Sequence, residues 1–494
     1  MKFYSTRGSA CAKNASEAIV KGIAEDGGLF VPEKYPDLSG SLEEMLGMDY
    51  ADRAAFVLSS FLEEYDYDEL LQACEEAYSQ FDEDAAPVVK LDENLYILEL
   101  FHGPTLAFKD IALTLLPYLL RAGCDNTGIK EDILILTATS GDTGKAALEG
   151  FKNKKGVKIM VFYPDEGVAD MQRLQMATTE GGNVNVVAVE GNFDDCQTAV
   201  KKIFTDEDFK AELKKNGVIF SSANSMNFGR LSPQIAYYFS AYCDLAGAGE
   251  IKLGDKVDFV VPTGNFGDIL AGYYAKKMGL PVGKLICASN RNNVLTDFFE
   301  TGVYDVNREF FKTMSPSMDI LVSSNLERLI YDVENRDAEK VKAKMQSLSE
   351  TGRYEVDKNR VARLRESFYA NFCAEETCAE TIGNFFEEYE YVLDPHTAVA
   401  MSVYDGYACE YPGEARPAVI LLTASPYKFP SDVYEAISGK AESDPFKAAD
   451  KLEKESAVPV PEQITALKTL PVRFEKRAKK DELKALVLDF ALKK

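Results

Sequence analysis

Short, nearly continuous apolar runs alternate with amphipathic stretches through most of this chain of 494 residues. Seven runs are rich in β-branched residues and bounded by Gly, Pro or Asn, which predicts buried strands at 132–139, 157–164, 183–190, 218–224, 257–263, 284–289 and 418–424. Stretches between them, such as 195–216 and 268–279, have apolar residues at helical spacing. Strands that alternate with helices predict βαβ units and a mostly parallel sheet.

One lysine interrupts an apolar segment. In FHGPTLAFKDIAL (101–113), Lys109 follows a turn-like HGPT and is flanked by Leu, Ala, Phe and Ile. A buried ammonium is costly unless it is paired or neutralised. The pattern therefore indicates an amine that is kept in a pocket for a chemical reason.

Three predicted strands end in loops suited to a ligand. SGDTG (140–144) and GNFGD (264–268) each lie between a strand and a helix, where free backbone N–H groups attract an anion. Neither is a Walker A loop or a dinucleotide fingerprint, and either one alone is as well explained by an ordinary turn. Thr423 and Ser425 lie at the carboxyl end of the strand at 418–424, which is the end where open α/β sheets bind ligands.

Composition narrows the function. The net charge of −25 argues against a non-specific nucleic-acid binder. Nine scattered cysteines and two histidines give no metal-site or disulfide spacing, so we expect no metal and a reduced, cytoplasmic chain. The start of the sequence lacks an apolar signal core, and no run suggests a membrane span. An anion would have to be bound by local amides and a few placed cations.

Together, a lysine in an apolar frame, two anion-binding loops and a hydroxyl at a strand end suit pyridoxal 5'-phosphate. This cofactor needs an amine, a phosphate cradle and a partner for its ring nitrogen.

The ordered motifs FHGPTLAFKD, TSGDTG, SANSMNFGR, PTGNFGD, DPHTAVA and TASPYKF, with the N-terminal run at 1–33, resemble the long bacterial and fungal threonine synthases. The resemblance implies an α/β fold like that of tryptophan synthase β, with two open, mostly parallel sheets flanked by helices. It implies a helical N-terminal part (1–100), a small α/β domain (101–245) and a large α/β domain with helical C-terminal additions (246–494). It also implies a lyase that converts O-phospho-L-homoserine and water to L-threonine and phosphate, as a monomer or homodimer.

The resemblance also assigns residues. Lys109 would form the imine with the cofactor and carry protons, and Asp142 would lie near the cofactor's 3-hydroxyl. Thr423 would face the ring nitrogen, and the phosphate would bind to Gly264, Asn265, Phe266, Gly267 and Asp268. The substrate would bind to Thr105, Ser140, Gly141, Thr143, Asn224, Ser225, Asn227 and Arg230.

Two positions depart from the family pattern. Ser425 stands where histidine is common, and Asp268 where asparagine is often found, which is acceptable if its carboxylate points away from the phosphate. Of the two histidines, His102 is the better candidate to reach the site, and Asp394 is expected to cap a helix that starts near Pro395. A serine/threonine dehydratase of the same fold and an inactive scaffold relative stay open as alternatives.

Overall fold

The structure is a computed structural model that describes residues 1–82, 84–139, 141–165, 168–191, 193–413 and 416–493, without the side chains of residues 193 and 194. Its strands are β1 (Phe3–Ser5), β2 (Cys11–Ala12), β3 (Phe30–Pro32), β4 (Val88–Asp92), β5 (Leu95–Glu99), β6 (Asp132–Ala138), β7 (Val157–Pro164), β8 (Val184–Val189), β9 (Val218–Ser221), β10 (Val257–Pro262), β11 (Val282–Ser289), β12 (Val303–Asp305), β13 (Arg353–Glu355), β14 (Phe368–Phe372), β15 (Ala418–Leu422) and β16 (Arg477–Ala478). All seven strands predicted from apolar runs are confirmed.

Helices flank these strands. They are α1 (Ala15–Lys21), α2 (Leu42–Met45), α3 (Tyr50–Ser59), α4 (Tyr67–Tyr78), α5 (Lys109–Leu113), α6 (Leu116–Thr127), α7 (Asp142–Phe151), α8 (Asp170–Ala177), α9 (Phe193–Phe204), α10 (Glu207–Lys215), α11 (Phe228–Gly247), α12 (Gly267–Lys277), α13 (Val294–Thr301), α14 (Leu326–Val333), α15 (Ala338–Thr351), α16 (Lys358–Ser367), α17 (Glu375–Tyr389), α18 (Pro395–Glu410), α19 (Pro430–Ser438), α20 (Pro445–Ser456), α21 (Glu462–Thr465) and α22 (Leu483–Leu492). The helix expected over 195–216 is split into α9 and α10, because Asp206 accepts the amide of Phe209 and starts a new helix.

Two open sheets form the body, as predicted. The larger has the strand order β14-β11-β10-β15-β5-β4, and all neighbours are parallel except the β4–β5 edge pair. The smaller has the order β16-β8-β7-β6-β9 and is parallel throughout. The central strands β10 and β15 are buried at every position, as expected for strands covered by helices on both faces.

The predicted helical N-terminal part contains α1 to α4 together with the antiparallel sheet β2-β1-β3. β4 and β5, within 88–99, extend the large sheet, and β16, within 246–494, extends the small one. Each of the two open sheets therefore contains strands from two of the three predicted domains, and the division at 100 and 245 stays a prediction. No helix in the described ranges is long and apolar enough to cross a membrane.

Candidate active site

The segment that carries Lys109 is attached to the end of β15. Phe108 donates its amide to the carbonyl of Thr423 at 2.9 Å, and Ser425 donates its amide to Leu106 at 3.0 Å. Leu106 has a left-handed backbone (φ 62°), which turns the chain sharply before α5 begins at Lys109. The segment that follows β5 is therefore joined directly to the end of β15 just before the lysine.

A buried carboxylate organises the HGPT turn before the lysine. Asp110 accepts the amide of Thr105 at 2.8 Å and its hydroxyl at 2.6 Å. A Cβ at Gly103 would lie 2.5 Å from that of Asp110, so only glycine fits there. Burial raises the pKa of Asp110 to about 6, against the lowering effect of these bonds. The predicted contact of Thr105 with substrate stays a prediction, which its engaged hydroxyl does not favour.

Lys109 is buried and close to one carboxylate. Its Nζ lies 3.5 Å from Oδ2 of Asp142, with only 10% of its side chain exposed. Burial lowers the pKa of Lys109, Asp142 opposes that change, and the cations Arg230 and Lys428 lower it further. The net direction is downward, which favours the neutral amine that a nucleophile and proton carrier requires.

Asp142 is the centre of a buried polar network. Its Oδ1 lies 2.9 Å from Nζ of Lys428 and accepts a hydrogen bond from Gln172 at 2.8 Å. Its Oδ2 accepts the hydroxyl of Ser317 at 3.0 Å. Burial alone would raise the pKa of Asp142, but Lys428, Lys109 and His396 overcome it and hold the pKa below its usual range. Asp142 is therefore a carboxylate at every working pH.

The SGDTG loop is organised by the preceding threonine. Gly141 and Gly144 both donate their amides to Oγ1 of Thr139 at 3.0 Å, so these two amides are not free for an anion, contrary to our expectation. The helix α7 begins at Asp142, and its first amides at 142 and 143 have no acceptor within the helix. The predicted contact of Ser140 falls outside the described residues.

The GNFGD loop presents a row of unpaired amides. None of the five backbone N–H groups from Gly264 to Asp268 donates a hydrogen bond to another described residue. The carbonyls are held instead: Gly264 accepts the hydroxyl of Ser323, and Asn265 accepts both the amide and the side chain of Asn325 at 3.1 Å. Fixing the carbonyls on one side leaves the amides available on the other, at the N-terminus of α12.

Two residues give this loop its shape. Phe266 has a left-handed backbone (φ 61°), is 1% exposed, and packs against Phe299 and Phe368. A Cβ at Gly264 would lie 2.9 Å from the carbonyl of Ser317. The lack of a Cβ at Gly264 thus admits a neighbouring loop of the protein, and the predicted contact of this glycine with the phosphate stays a prediction.

The carboxylate of Asp268 points away from the free amides of 264–268, which is the condition under which an aspartate is acceptable at this position. Its Oδ1 accepts hydroxyls from Tyr237 and Tyr238 of α11. Burial raises the pKa of Asp268 to about 6, although the two tyrosines and Lys109 lower it. The backbone amide of Asp268, not its side chain, is the group that can meet a phosphate.

Arg230 is a buried cation without a matching anion. Its Nη1 donates to the carbonyl of Ala223 at 2.9 Å and its Nη2 to the hydroxyl of Thr143 at 3.5 Å, while its Nε has no partner in the described chain. Burial lowers the pKa of this guanidinium to about 10. A buried polar group without a partner indicates a missing ligand, and a planar fork of donors suits a phosphate or carboxylate.

The SANSMN residues that precede Arg230 have mixed roles. Asn227 caps α11 by accepting the amide of Gly229, and its Nδ2 donates to Ile19 and Ser222. These bonds do not favour its predicted substrate contact. Ser225 accepts a hydrogen bond from Asn325 at 3.0 Å, and Asn224 is partly exposed. The contacts predicted for Asn224, Ser225 and Asn227 stay predictions.

Thr423 and Ser425 differ in what they do. The Thr423 hydroxyl makes no hydrogen bond to any described residue, although the residue is buried, with only 5% of its surface exposed. Ser425 caps the short 3₁₀ turn Pro426–Lys428 by accepting the amide of Tyr427. That turn carries Lys428 into the site, so the position where histidine is common here has a structural role.

The two histidines are ranked in reverse of our expectation. His102 pairs with Glu99 at 2.7 Å and stacks on Phe101, with no bond to the site residues. His396 pairs with Asp394, which caps α18 as predicted, and accepts the amide of Ser317 at 3.2 Å. Ser317 also donates its hydroxyl to Asp142, so one residue connects His396 to that carboxylate.

Sequence reasoning missed the residues that support the site: Gln172, Ser317, Ser323, Asn325, Arg328 and Lys428. Arg328 is fully buried and donates to Phe30, Asn325 and Met226, which fixes the amide that holds the GNFGD loop. Only Lys428 had a usable signal, because TASPYKFP places a second lysine in an apolar frame.

These residues fit pyridoxal phosphate. Five free amides at a helix N-terminus suit its phosphate, the Thr423 hydroxyl is available to its ring nitrogen, and Lys109 is a buried amine whose pKa is lowered. The family model described as "Pyridoxal-phosphate dependent enzyme" matches residues 83–424. The fold and the site therefore define a pyridoxal-phosphate-dependent enzyme.

Two further family models, "Threonine synthase N terminus" and "Threonine synthase, C-terminal", match residues 2–78 and 397–487. Threonine synthase from Pseudomonas aeruginosa is 40% identical over 97% of this chain and 100% of that protein. The solved structure of PLP-bound threonine synthase from Brucella melitensis has a TM-score of 0.87 and 36% identity, covering 99% of each chain. The chain belongs to the threonine synthase family.

Human threonine synthase-like 1 is 43% identical over 87% of this chain, and the chain spans 58% of that protein's length. The resemblance read from the ordered motifs is confirmed, as is the predicted fold class.

Proposed function

We propose that this chain binds pyridoxal phosphate and converts O-phospho-L-homoserine and water to L-threonine and inorganic phosphate. The observation that carries the proposal is Arg230, a buried guanidinium whose Nε lacks a partner among the described residues and whose Nη2 faces Thr143. A dehydratase substrate such as serine has no phosphate for this cation to bind. A phosphorylated amino acid provides the anion that a buried arginine requires.

The chain's own groups can perform the required steps. Pyridoxal phosphate, when bound, supplies a ring that withdraws electrons from the substrate's α-carbon. Lys109 Nζ, whose pKa is lowered by burial, accepts the proton from that carbon. The amides of Asp142 and Thr143 at the start of α7 orient the substrate's carboxylate, and Arg230 holds its phosphate and stabilises the charge as phosphate leaves.

Asp142 has a positioning role in this scheme. Its carboxylate, anchored by Lys428, Gln172 and Ser317, lies 3.5 Å from Nζ of Lys109 and orients that amine. The Thr423 hydroxyl would serve as a neutral partner for the ring nitrogen of the bound cofactor, which would moderate charge withdrawal. The surrounding buried residues exclude bulk water, so that the added water enters at a defined step.

The test is turnover of O-phospho-L-homoserine by the purified chain, with phosphate and threonine measured separately. We expect equal amounts of the two products and their complete loss in Lys109→Ala. Lys145→Ala is the matched control, because the Lys145 side chain is nearly as buried, at 13% exposed, but pairs with Glu149 and Thr179 instead. Ammonia and a 2-oxo acid from serine or threonine, without use of the phosphorylated substrate, would make the chain a dehydratase.

We further propose a cytoplasmic monomer or homodimer. The cysteines in the structure are free thiols, which supports a reducing compartment. Analytical ultracentrifugation of the cofactor-loaded chain tests the oligomeric state, and a larger assembly would contradict it.

A further inference from the structure

A second buried lysine lies beside the reacting one. Lys428 has no exposed side-chain surface, and its Nζ contacts three acceptors: the carbonyl of Thr105 at 2.7 Å, Oδ1 of Asp142 at 2.9 Å and Oε1 of Gln175 at 3.3 Å. An ammonium has three N–H donors, and here each has an acceptor, one of them ionised. All three donors of Lys428 are therefore used on protein acceptors, and none is left for chemistry.

Asp142 is shared unequally between the two lysines. It is 2.9 Å from Lys428 but 3.5 Å from Lys109, and it takes further bonds from Gln172 and Ser317. A buried carboxylate needs one compensating cation, and Lys428 is the closer and better bonded of the two. The site then contains a matched pair, Lys428 with Asp142, beside a lysine that has no anion of its own.

We propose that Lys428 is a positioning residue for the reaction: its pinned ammonium neutralises Asp142, so that Lys109 is the neutral amine of the site. The catalytic purpose of this role rests on the proposed function, whereas the charge distribution around Lys109 is a property of the chain itself. Lys428 touches neither the reacting atoms nor the amide cradle. It acts through Asp142.

The other charged groups around Lys428 and Asp142 are held in place by hydrogen bonds of their own. The groups that face Lys109, Asp142 or Lys428 are Asp110 of α5, Arg230 of α11, Asp268 of α12 and His396 of α18, which is paired with the capping residue Asp394. Asp110 is bonded to Thr105, and Asp268 to two tyrosines. Arg230 adds a second positive charge near Lys109 and so works in the same direction as Lys428.

The experiment measures the charge on Lys109 without turnover. The full chain, freed of cofactor, is labelled with trace acetic anhydride between pH 6 and 11, and mass spectrometry follows acetylation of Lys109. In Lys428→Met we expect the pH midpoint to rise by about one unit, so that labelling near neutral pH falls roughly tenfold. Lys428→Arg, which keeps the charge, should restore the midpoint, and Lys145→Met should leave it unchanged.

Two further measurements keep the test decisive. Asp142→Asn removes the anion and should move the midpoint downward, which applies even if Lys428→Met does not fold. In the cofactor-loaded chain, the pH midpoint of the visible absorbance should rise in Lys428→Met as it does for labelling. An unchanged midpoint in a folded Lys428→Met, an unchanged midpoint in Asp142→Asn, or an equal rise in Lys428→Arg overturns the proposal. None of these outcomes depends on phosphate release, so they are separate from failure of the proposed activity.

Discussion

Replacing Arg230 with methionine should separate activity from stability. Burial lowers the pKa of the guanidinium from 12.5 to about 10, which corresponds to about 3 kcal/mol of cost for holding the charge in the folded chain. The variant removes this cost but leaves the carbonyl of Ala223 without its donor, a loss of about 1–3 kcal/mol. The bond to Thr143, at 3.5 Å, adds little. The two effects nearly cancel, so the melting temperature should stay close to that of the parent chain or rise.

Catalysis should respond very differently. Charge-assisted hydrogen bonds to an anion contribute about 1.5–3 kcal/mol each, so losing one of them should reduce kcat/KM for O-phospho-L-homoserine about 10- to 150-fold. Steady-state phosphate release and thermal denaturation measure the two quantities on the same preparations. The absorbance of the bound cofactor should be unchanged, because its phosphate is held by the amides of 264–268.

Arg328→Met is the matched control, since Arg328 is equally buried but donates to three protein acceptors. Its loss leaves those acceptors unsatisfied and releases Asn325, so it should lower both the melting temperature and cofactor affinity. A parent-like kcat/KM in Arg230→Met, or a drop in melting temperature as large as that of Arg328→Met, would refute the assignment of Arg230 as an anion-binding group.

Other predictions follow from the same contacts. Lys109→Ala should abolish the absorbance near ~410–420 nm that a lysine-bound cofactor gives; a retained band would mean that another amine binds it. Asp268 has a pKa raised from 3.8 to about 6, so its folded-state cost of about 3 kcal/mol grows as the pH rises through 4 to 6. Asp268→Asn should therefore raise the melting temperature at pH 8 but not at pH 4, and an equal effect at both would disprove the titration. Gly264→Ala should weaken cofactor binding at least tenfold, because its Cβ would lie 2.9 Å from the carbonyl of Ser317. Gly406→Ala, which meets nothing within 4 Å, should leave the cofactor affinity as it is, and equal effects of the two would show that the clash at Gly264 is not limiting.

The buried strands could be predicted from the sequence, but the order of the strands in the sheets could not. All seven apolar runs became strands, because a strand covered on both faces must be apolar at nearly every position. The strands β4 and β5 were missed, since VVKLD alternates with charge and lies next to an acidic helical region. Their place in the large sheet depends on pairing of β5 with β15, more than 300 residues later.

The site divides in the same way. The lysine proposed to react and the proposed phosphate cradle have local signals: Lys109 is marked by the apolar residues around it, and GNFGD by glycines at a strand-to-helix junction. The departures from the family pattern at Asp268 and Ser425 were visible in the sequence, but their structural consequences were not. Only the structure shows the first bonded to two tyrosines and the second capping a turn.

The sequence by itself therefore determined the family and the alternation of strands and helices, and it predicted the reacting amine and the phosphate loop, because each depends on residues that are neighbours in the chain. The tertiary structure decided which buried charges meet. Asp142 is paired with Lys428, Asn265 is held by Asn325, and Arg230 lacks a carboxylate partner among the described residues, through contacts that span 60 to nearly 290 positions. The physical reason is that a buried polar group must find its partner wherever the packing of the sheets brings one, and no local pattern records that choice.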